Sequence, residues 1–219
     1  MSAIASFVAA TMPFLWQGLM MTLFVSLVIV GVSLVTGILF GIGFAYGPWW
    51  VRLPLRVFSD VLRGTPLLVV IFTIYYLLPF AGLNLQPLPA VLLALTLFKT
   101  AHVAEIARGA IQSITAGQTD AGKAIGLTFW QHLAYVILPQ AVRRFLPPWI
   151  NSVTDAVKGS ALVSLVGIVD LMLAAQQVIG RTYEPLPIYL LAAGMYFIIN
   201  YSLSSLSRLL EARFAYIRE

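Results

Sequence analysis

The chain has no cysteine. That excludes a disulfide, a thiolate nucleophile and a cysteine-ligated metal within it. Charge is scarce as well: Asp, Glu, Lys and Arg make up 10% of the residues, against about 25% in an ordinary soluble domain. So little charge cannot coat a globule in water, which excludes a soluble enzyme, a disordered segment and a nucleic-acid module. The two histidines, His102 and His132, lie in different segments, and no His-Glu-x-x-His occurs, so an intramembrane metallohydrolase lacks its constellation. Lys99 precedes Thr100, but no GxxxxGK[ST] phosphate loop stands around it, so no ATP site is expected. Residues 1–14 carry no Lys or Arg and thus no basic n-region of a cleaved signal peptide.

What is present is apolar. Hydrophobic residues make up 60% of the 219, and the mean hydropathy is +0.94. The composition predicts an all-α membrane protein: a single transmembrane domain over 1–219, with a core of about 17–210. A span takes about 20 mostly apolar residues. Residues 14–46 contain no charge and predict one long helix, with room for a short interfacial segment before it. Gly31, Gly37, Gly41 and Gly43 give that helix a stripe for close contact, and Gly47-Pro48 ends it. Residues 64–98 are also free of charge. Pro79, Gly82, Asn84, Pro87 and Pro89 place a turn inside them, so they read as two spans, the second continuing to about residue 110. A fourth span is predicted over about 133–169, broken by Pro139 and Pro147-Pro148, and a fifth over 185–207.

Five spans put the termini on opposite sides, and the positive-inside rule chooses between them. Arg52, Arg56 and Arg63 flank the loop after span one. Arg108, Lys123, Arg143 and Arg144 surround the polar segment after span three, and Arg208, Arg213 and Arg218 lie in the tail. All fall on one side if the N-terminus is outside and the C-terminus inside. The net charge of +5 therefore reads as a topology signal, with an anionic-lipid patch on the tail as the less favoured reading. An odd span count does not divide into paired internal repeats, so a second copy or close relative is expected across a two-fold axis.

Between spans three and four lies an excursion of about 113–132 that is too polar to span and too apolar to be only a solvated loop. Residues 120–125 predict a short helix with Asp120 in its first turn, where an acid suits the helix dipole. Ala121, Ala124 and Ile125 would be exposed, and Gly126 would break the helix. By pattern alone, two readings stay open: a connector lying on lipid, and a small-residue helix seated in a partner's groove.

The run Asp120-Ala121-Gly122-Lys123-Ala124-Ile125-Gly126, followed by Ile137-Leu138-Pro139, resembles the EAA loop of ABC-importer permeases. Asp120 stands for the Glu, Ala121 and Gly122 for the two alanines, and Gly126 for the motif glycine. Further pieces resemble the polar amino-acid permease family of type I importers, the histidine, glutamine and glutamate permeases. They are Arg63-Gly64-Thr65-Pro66-Leu67, the run from Ala104 to Ile111, Ser113-Ile114 with Gly117-Gln118, Pro139-Gln140-Ala141 and Leu146-Pro147-Pro148. The resemblance extends over about residues 17–213. It implies a multi-pass permease of the bacterial cytoplasmic membrane that is not itself catalytic. It also implies a second permease subunit, two cytoplasmic ATPase subunits that carry the ATP and Mg, and a periplasmic or extracellular amino-acid-binding protein. The segment Asp120 to Gly126 would then be the coupling helix that contacts the ATPase. No nucleic-acid partner is implied.

Ionisable residues within spans point to function by default. Glu105 and Arg108, three apart, fit an ion pair that anchors the loop. His102 reads as a packing residue. Lys99 either snorkels or lines the pathway. Asn151, Asp155 and Lys158 share one helix face, and with Ser160 they are candidates for the substrate pathway; an Asp155–Lys158 pair that touches nothing else is the competing reading. The resembled family has Lys-Asp-Thr-Ser-Leu where this chain has Lys158-Gly159-Ser160-Ala161-Leu162. The missing acid, with Lys99 and Lys158 kept, tilts the expectation toward glutamate or aspartate. Asp170, Leu171, Arg181, Tyr183, Glu184 and Pro185 resemble the stretch that faces the binding protein; they read as a lid or docking surface or, equally, as an ordinary solvated loop. A self-contained channel or ion-coupled carrier is the alternative from another class; it needs an internal repeat or a continuous polar stripe.

Overall fold

The computed structural model describes the backbone of residues 2–214 and the side chains of residues 7–210 and 212. Arg218 and the Arg213 side chain, counted above in the basic tail, lie outside the described residues. The described residues form helices without a strand. These are α1 (Ser2–Tyr46), α2 (Trp49–Gly64), α3 (Leu67–Phe80), α4 (Pro87–Gln112), α5 (Ala116–Ala124), α6 (Phe129–His132), α7 (Leu138–Gly159), α8 (Leu171–Thr182) and α9 (Pro185–Phe214). A π-helical turn, Leu133–Ile137, precedes α7, and a 3-10 stretch, Ser160–Val166, follows it.

Three helical segments are long and apolar enough to cross a membrane: Phe7–Tyr46, Pro87–Gln112 and Pro185–Leu210. Two further helix pairs pass only when each bent pair counts as one span, which allows up to five. α1 is a single helix of 45 residues with Pro13 inside it, so residues 2–13 continue the helix rather than forming the separate interfacial segment. It ends where Pro48 supplies no N–H and disfavours helical backbone at the residue before it.

Four expectations are corrected. The stretch carrying Arg52, Arg56 and Arg63 is not a loop but the helix α2, of 16 residues. It stops at Gly64 because Thr65, preceding Pro66, is held extended at ψ 134°. The stretch predicted as a fourth span is not broken at its prolines: α7 runs through Pro147 and Pro148. Pro139 sits in the first turn of α7, just after the wider π turn, where a missing N–H is tolerated. The segment before α9 contains the helix α8, and Asp170, read as part of a docking surface, is fully buried as its cap. Asp120 lies in the middle of α5, which begins four residues earlier, so its first turn holds no acid.

The chain divides into two compact units that share its long helices. The first comprises Met1–Val30, Leu67–Thr96 and Val153–Ser202. Its core joins Leu15 and Leu19 of α1 to Leu171, Ala175 and Val178 of α8 and to Ile188 and Ala192 of α9. Around Asp170 lies a buried polar network. The carboxylate accepts from the Leu173 backbone N–H at 2.9 Å and from the Tyr196 hydroxyl at 3.3 Å, and the Leu171 N–H donates to Thr22 Oγ1 at 3.1 Å. In hydrocarbon, such groups need partners inside the protein.

The second unit comprises Gly31–Pro66, Leu97–Ser152 and Leu203–Glu219. Two apolar clusters hold it: Val103, Ala107, Ala110 and Phe145, and Ile111, Leu133, Ile137 and Ala141. The glycine stripe of α1 works as expected at three of its four positions. A Cβ on Gly37 would meet Val103, one on Gly41 would meet Ala107, and one on Gly43 would lie 2.9 Å from Leu55; Gly31 faces open space. Close backbone approach of this kind is the main source of helix attraction in lipid, where apolar burial gains little.

Candidate functional site

The excursion between α4 and α7 folds as a small hairpin of helices. α5 ends in a Schellman motif: the Gly126 N–H donates to the Lys123 carbonyl and the Leu127 N–H to the Gly122 carbonyl, each at 3.0 Å. Gly126 has φ +75°, the left-handed conformation that this motif needs and that a Cβ disfavours. Two residues on, Thr128 caps α6 in a capping box with Gln131, each residue's side chain accepting from the other's backbone N–H. Two strong local signals therefore fix both sides of the turn.

One feature of the hairpin escaped the sequence reading. Gly122 is the buried residue of α5, and the His132 ring occupies the space where its Cβ would stand. His132 Nε2 also lies 3.3 Å from the Gln118 carbonyl. The departure at the second alanine of the EAA-like run thus has a local cause: the ring clamps α6 onto α5, and only glycine leaves room. The available signal was a glycine and an aromatic ring ten residues apart across a two-helix hairpin.

Clamping one face presents the other. Ala121, Ala124 and Ile125 are exposed, Ile125 by 76%, and beside them stand Trp130, exposed by 73%, and the half-exposed Phe129. Phe129 also packs edge-on against Tyr46 at 5.2 Å, which ties the hairpin to the end of α1. Arg144 of α7 donates to the Ser113 carbonyl at the end of α4. The first contact joins the hairpin to α1, and the second joins α7 to the end of α4.

Glu105 pairs with Arg108 and also faces a second arginine. Its Oε2 accepts from Arg108 Nη2 at 2.7 Å and Nε at 2.9 Å, and Arg63 Nη1 approaches the same oxygen at 3.8 Å. This ion triad joins α2 to α4, linking the Arg-Gly-Thr-Pro and Ala-Glu-Ile-Ala-Arg-Gly runs. Beside it opens a cleft of about 420 Å³ lined by Glu105, Gly109, Ser113, Arg144 and Pro148 among others.

The pathway candidates separate. Asn151, Asp155 and Lys158 are exposed on one face of α7, and Lys158 Nζ lies 3.5 Å from Asp155 Oδ1. Lys99 and Ser160 do not join them. Lys99 is buried, exposed by only 8%, with Nζ donating to the Ser152 carbonyl at 3.1 Å. Ser160 is buried, donating to the Val157 carbonyl at 2.8 Å and accepting from Ser26 at 3.4 Å. His102 packs on Phe98 and faces its carbonyl at 2.9 Å. Arg181, Tyr183 and Glu184 are exposed, Arg181 lying over the Phe14 ring at 5.3 Å.

Long apolar helices that carry a clamped helical hairpin with an exposed small-residue face define a helical membrane protein. The sequence profile of the binding-protein-dependent transport system inner membrane components matches residues 37–216, and the chain belongs to that family. It is 37% identical over 203 residues to the glutamine transport system permease protein of Escherichia coli, covering 92% of this chain and 93% of that one. It is 35% identical over 217 residues to the probable glutamine ABC transporter permease protein of Bacillus subtilis, covering 97% and 99%. The fold matches a crystal structure of an amino acid ABC transporter with a TM-score of 0.88 at 33% identity, covering 95% of this chain and 97% of that one.

Proposed function

We propose that this chain is the membrane-spanning permease subunit of an ATP-driven, binding-protein-dependent amino-acid importer in a bacterial cytoplasmic membrane. It acts as one transmembrane domain of five spans, N-terminus outside and C-terminus inside, and pairs with a second permease subunit. Two cytoplasmic ATPase subunits bind the ATP and Mg, and each receives an α5–α6 hairpin. Asp120, Ala121, Gly122, Ala124, Ile125 and Gly126 form the contact. Closure of the ATPases moves α5, and the bonds described above carry that motion into α1, α4 and α7 as near rigid bodies. The observation that carries this reading is the exposed Ala121–Ala124–Ile125 face held out by the Gly122–His132 clamp.

For the substrate we propose a polar amino acid, in keeping with the glutamine permeases above. Asp155 and Lys158 offer one charge of each sign on the exposed face of α7, and Asn151 adds an amide. That set suits the ammonium and carboxylate of an amino-acid backbone. The acidic-substrate expectation has less support, because Lys99 is turned into the protein, which leaves Lys158 alone of the two lysines to meet both carboxylates of glutamate or aspartate. Uptake of labelled glutamine and glutamate by Lys158→Gln and Asp155→Asn variants tests this. Loss of both substrates in both variants supports backbone recognition; loss of glutamate alone in Lys158→Gln returns the acidic reading. Reconstitution of the chain alone tests the carrier alternative, since a channel or carrier transports without ATPase subunits.

A further inference from the structure

Helix α2 has three faces, each suited to a different surrounding. At about 100° per residue, Val51, Leu55, Phe58, Ser59 and Leu62 fall on one side. This side packs inward: Phe58 meets Phe40 edge-on at 5.5 Å, and the buried Ser59 donates to the Ala101 carbonyl at 3.5 Å. A second side carries Arg52, Arg56 and Arg63, all exposed, with Asp60 at its edge. The third carries Trp50, Leu53, Val57 and Val61, exposed by 63%, 56%, 55% and 60%. A solvated helix has no use for that apolar stripe, and a spanning helix has no use for three arginines within 16 residues.

We propose that α2 lies in the membrane interface, in the same compact unit as α5, with its apolar stripe in the outermost acyl chains and Arg52 and Arg56 on anionic phospholipid headgroups. The charge arrangement selects this occupant over a neutral one. Arg63 is spent on Glu105, whereas Arg56 has no hydrogen-bond or ion-pair partner among the described residues. Arg52 remains exposed, with Nε on the Gly47 carbonyl. Trp49 and Trp50, at the helix start, suit the headgroup level, where amphipathic rings concentrate. Each arginine held near an anionic surface favours it by about fivefold. Because Ser59 and Arg63 tie α2 to α4, the headgroups contact the same framework that carries the coupling hairpin. The inference rests on family membership and not on the substrate reading.

The absence of cysteine makes the test clean. In the full transporter, with partner cysteines replaced, a bimane fluorophore is attached at Val57→Cys or at Arg56→Cys. Vesicles contain phosphatidylcholine with a minority of phosphatidylglycerol, either lipid being brominated in turn. The label at 57 is expected to be quenched by brominated lipid and shielded from aqueous acrylamide, and the label at 56 the reverse. At equal mole fraction, brominated phosphatidylglycerol should quench the label at 57 several-fold more than brominated phosphatidylcholine. Adding Arg52→Gln and Arg56→Gln should bring that ratio to about one while lipid quenching persists. Acrylamide quenching at 57 would place the stripe in water and overturn the proposal. Quenching at 57 by neither agent would show a protein partner covering it, and equal quenching by both lipids in the unsubstituted background would remove the headgroup contact.

Discussion

The His132 ring occupies the position that a Cβ on Gly122 would need. This contact sets the angle between α5 and α6 and so decides which side chains of the hairpin face outward. Gly122→Ala should force the ring away at a cost of about 1–3 kcal/mol. The expected phenotype is normal membrane insertion with reduced coupled uptake. Adding His132→Ala removes the clash, and uptake in the double variant should exceed that of Gly122→Ala alone. A double variant no better than the single would show that the contact does not set the hairpin.

Gly126 acts through its backbone. At φ +75° a non-glycine residue is strained, by about 1 kcal/mol for alanine and less for asparagine. Uptake in the Gly126 variants should therefore fall in the order Gly, Asn, Ala. Gly126→Asp should insert normally and hydrolyse ATP without matching uptake. Normal coupled uptake in Gly126→Asp would count against the placement of the contact.

The Glu105 triad predicts unequal partners. Arg108 makes two short bonds to Oε2, whereas Arg63 stands 3.8 Å away and is 41% exposed. Solvent weakens the outer contact. Glu105→Gln should lower the thermal midpoint of the detergent-solubilised transporter most, Arg108→Ala less and Arg63→Ala least. A midpoint loss larger for Arg63→Ala than for Arg108→Ala would contradict this order.

Gly41 predicts a packing rescue. Its missing Cβ is the space filled by Ala107, so Gly41→Ala should destabilise by about 1–3 kcal/mol, and Ala107→Gly should recover part of that. The melting curves of the two single variants and the double variant measure the coupling directly.

Much of this was legible because it is written locally. Gly47-Pro48, and Gly82 at φ +82° just past α3, end helices through backbone chemistry that needs no tertiary partner. Gly126 stops α5 the same way. The hidden parts depend on contacts between distant residues. The arginines of α2 recur at helical spacing, but in a chain this poor in charge they stand out first as a topology signal. The helix shows only when the alternation of Trp50, Leu53, Val57 and Val61 is read against them. Pro147 and Pro148 look like a break, yet neighbouring helices let α7 continue. Asp170 looks like a solvated acid until Thr22 and Tyr196, far off in sequence, gather round it. Lys99 and Ser160 carry the right chemistry for a pathway, but which way they face is set by packing against α7 and α1.

The most direct measurement places one cysteine at Ala121 or Ala124 in a chain that has none and crosslinks it in membranes containing the complete transporter. The account predicts capture of an ATPase subunit, with a yield that changes between nucleotide-free and ATP-bound states. Efficient labelling at both positions with no ATPase captured in any nucleotide state would contradict it.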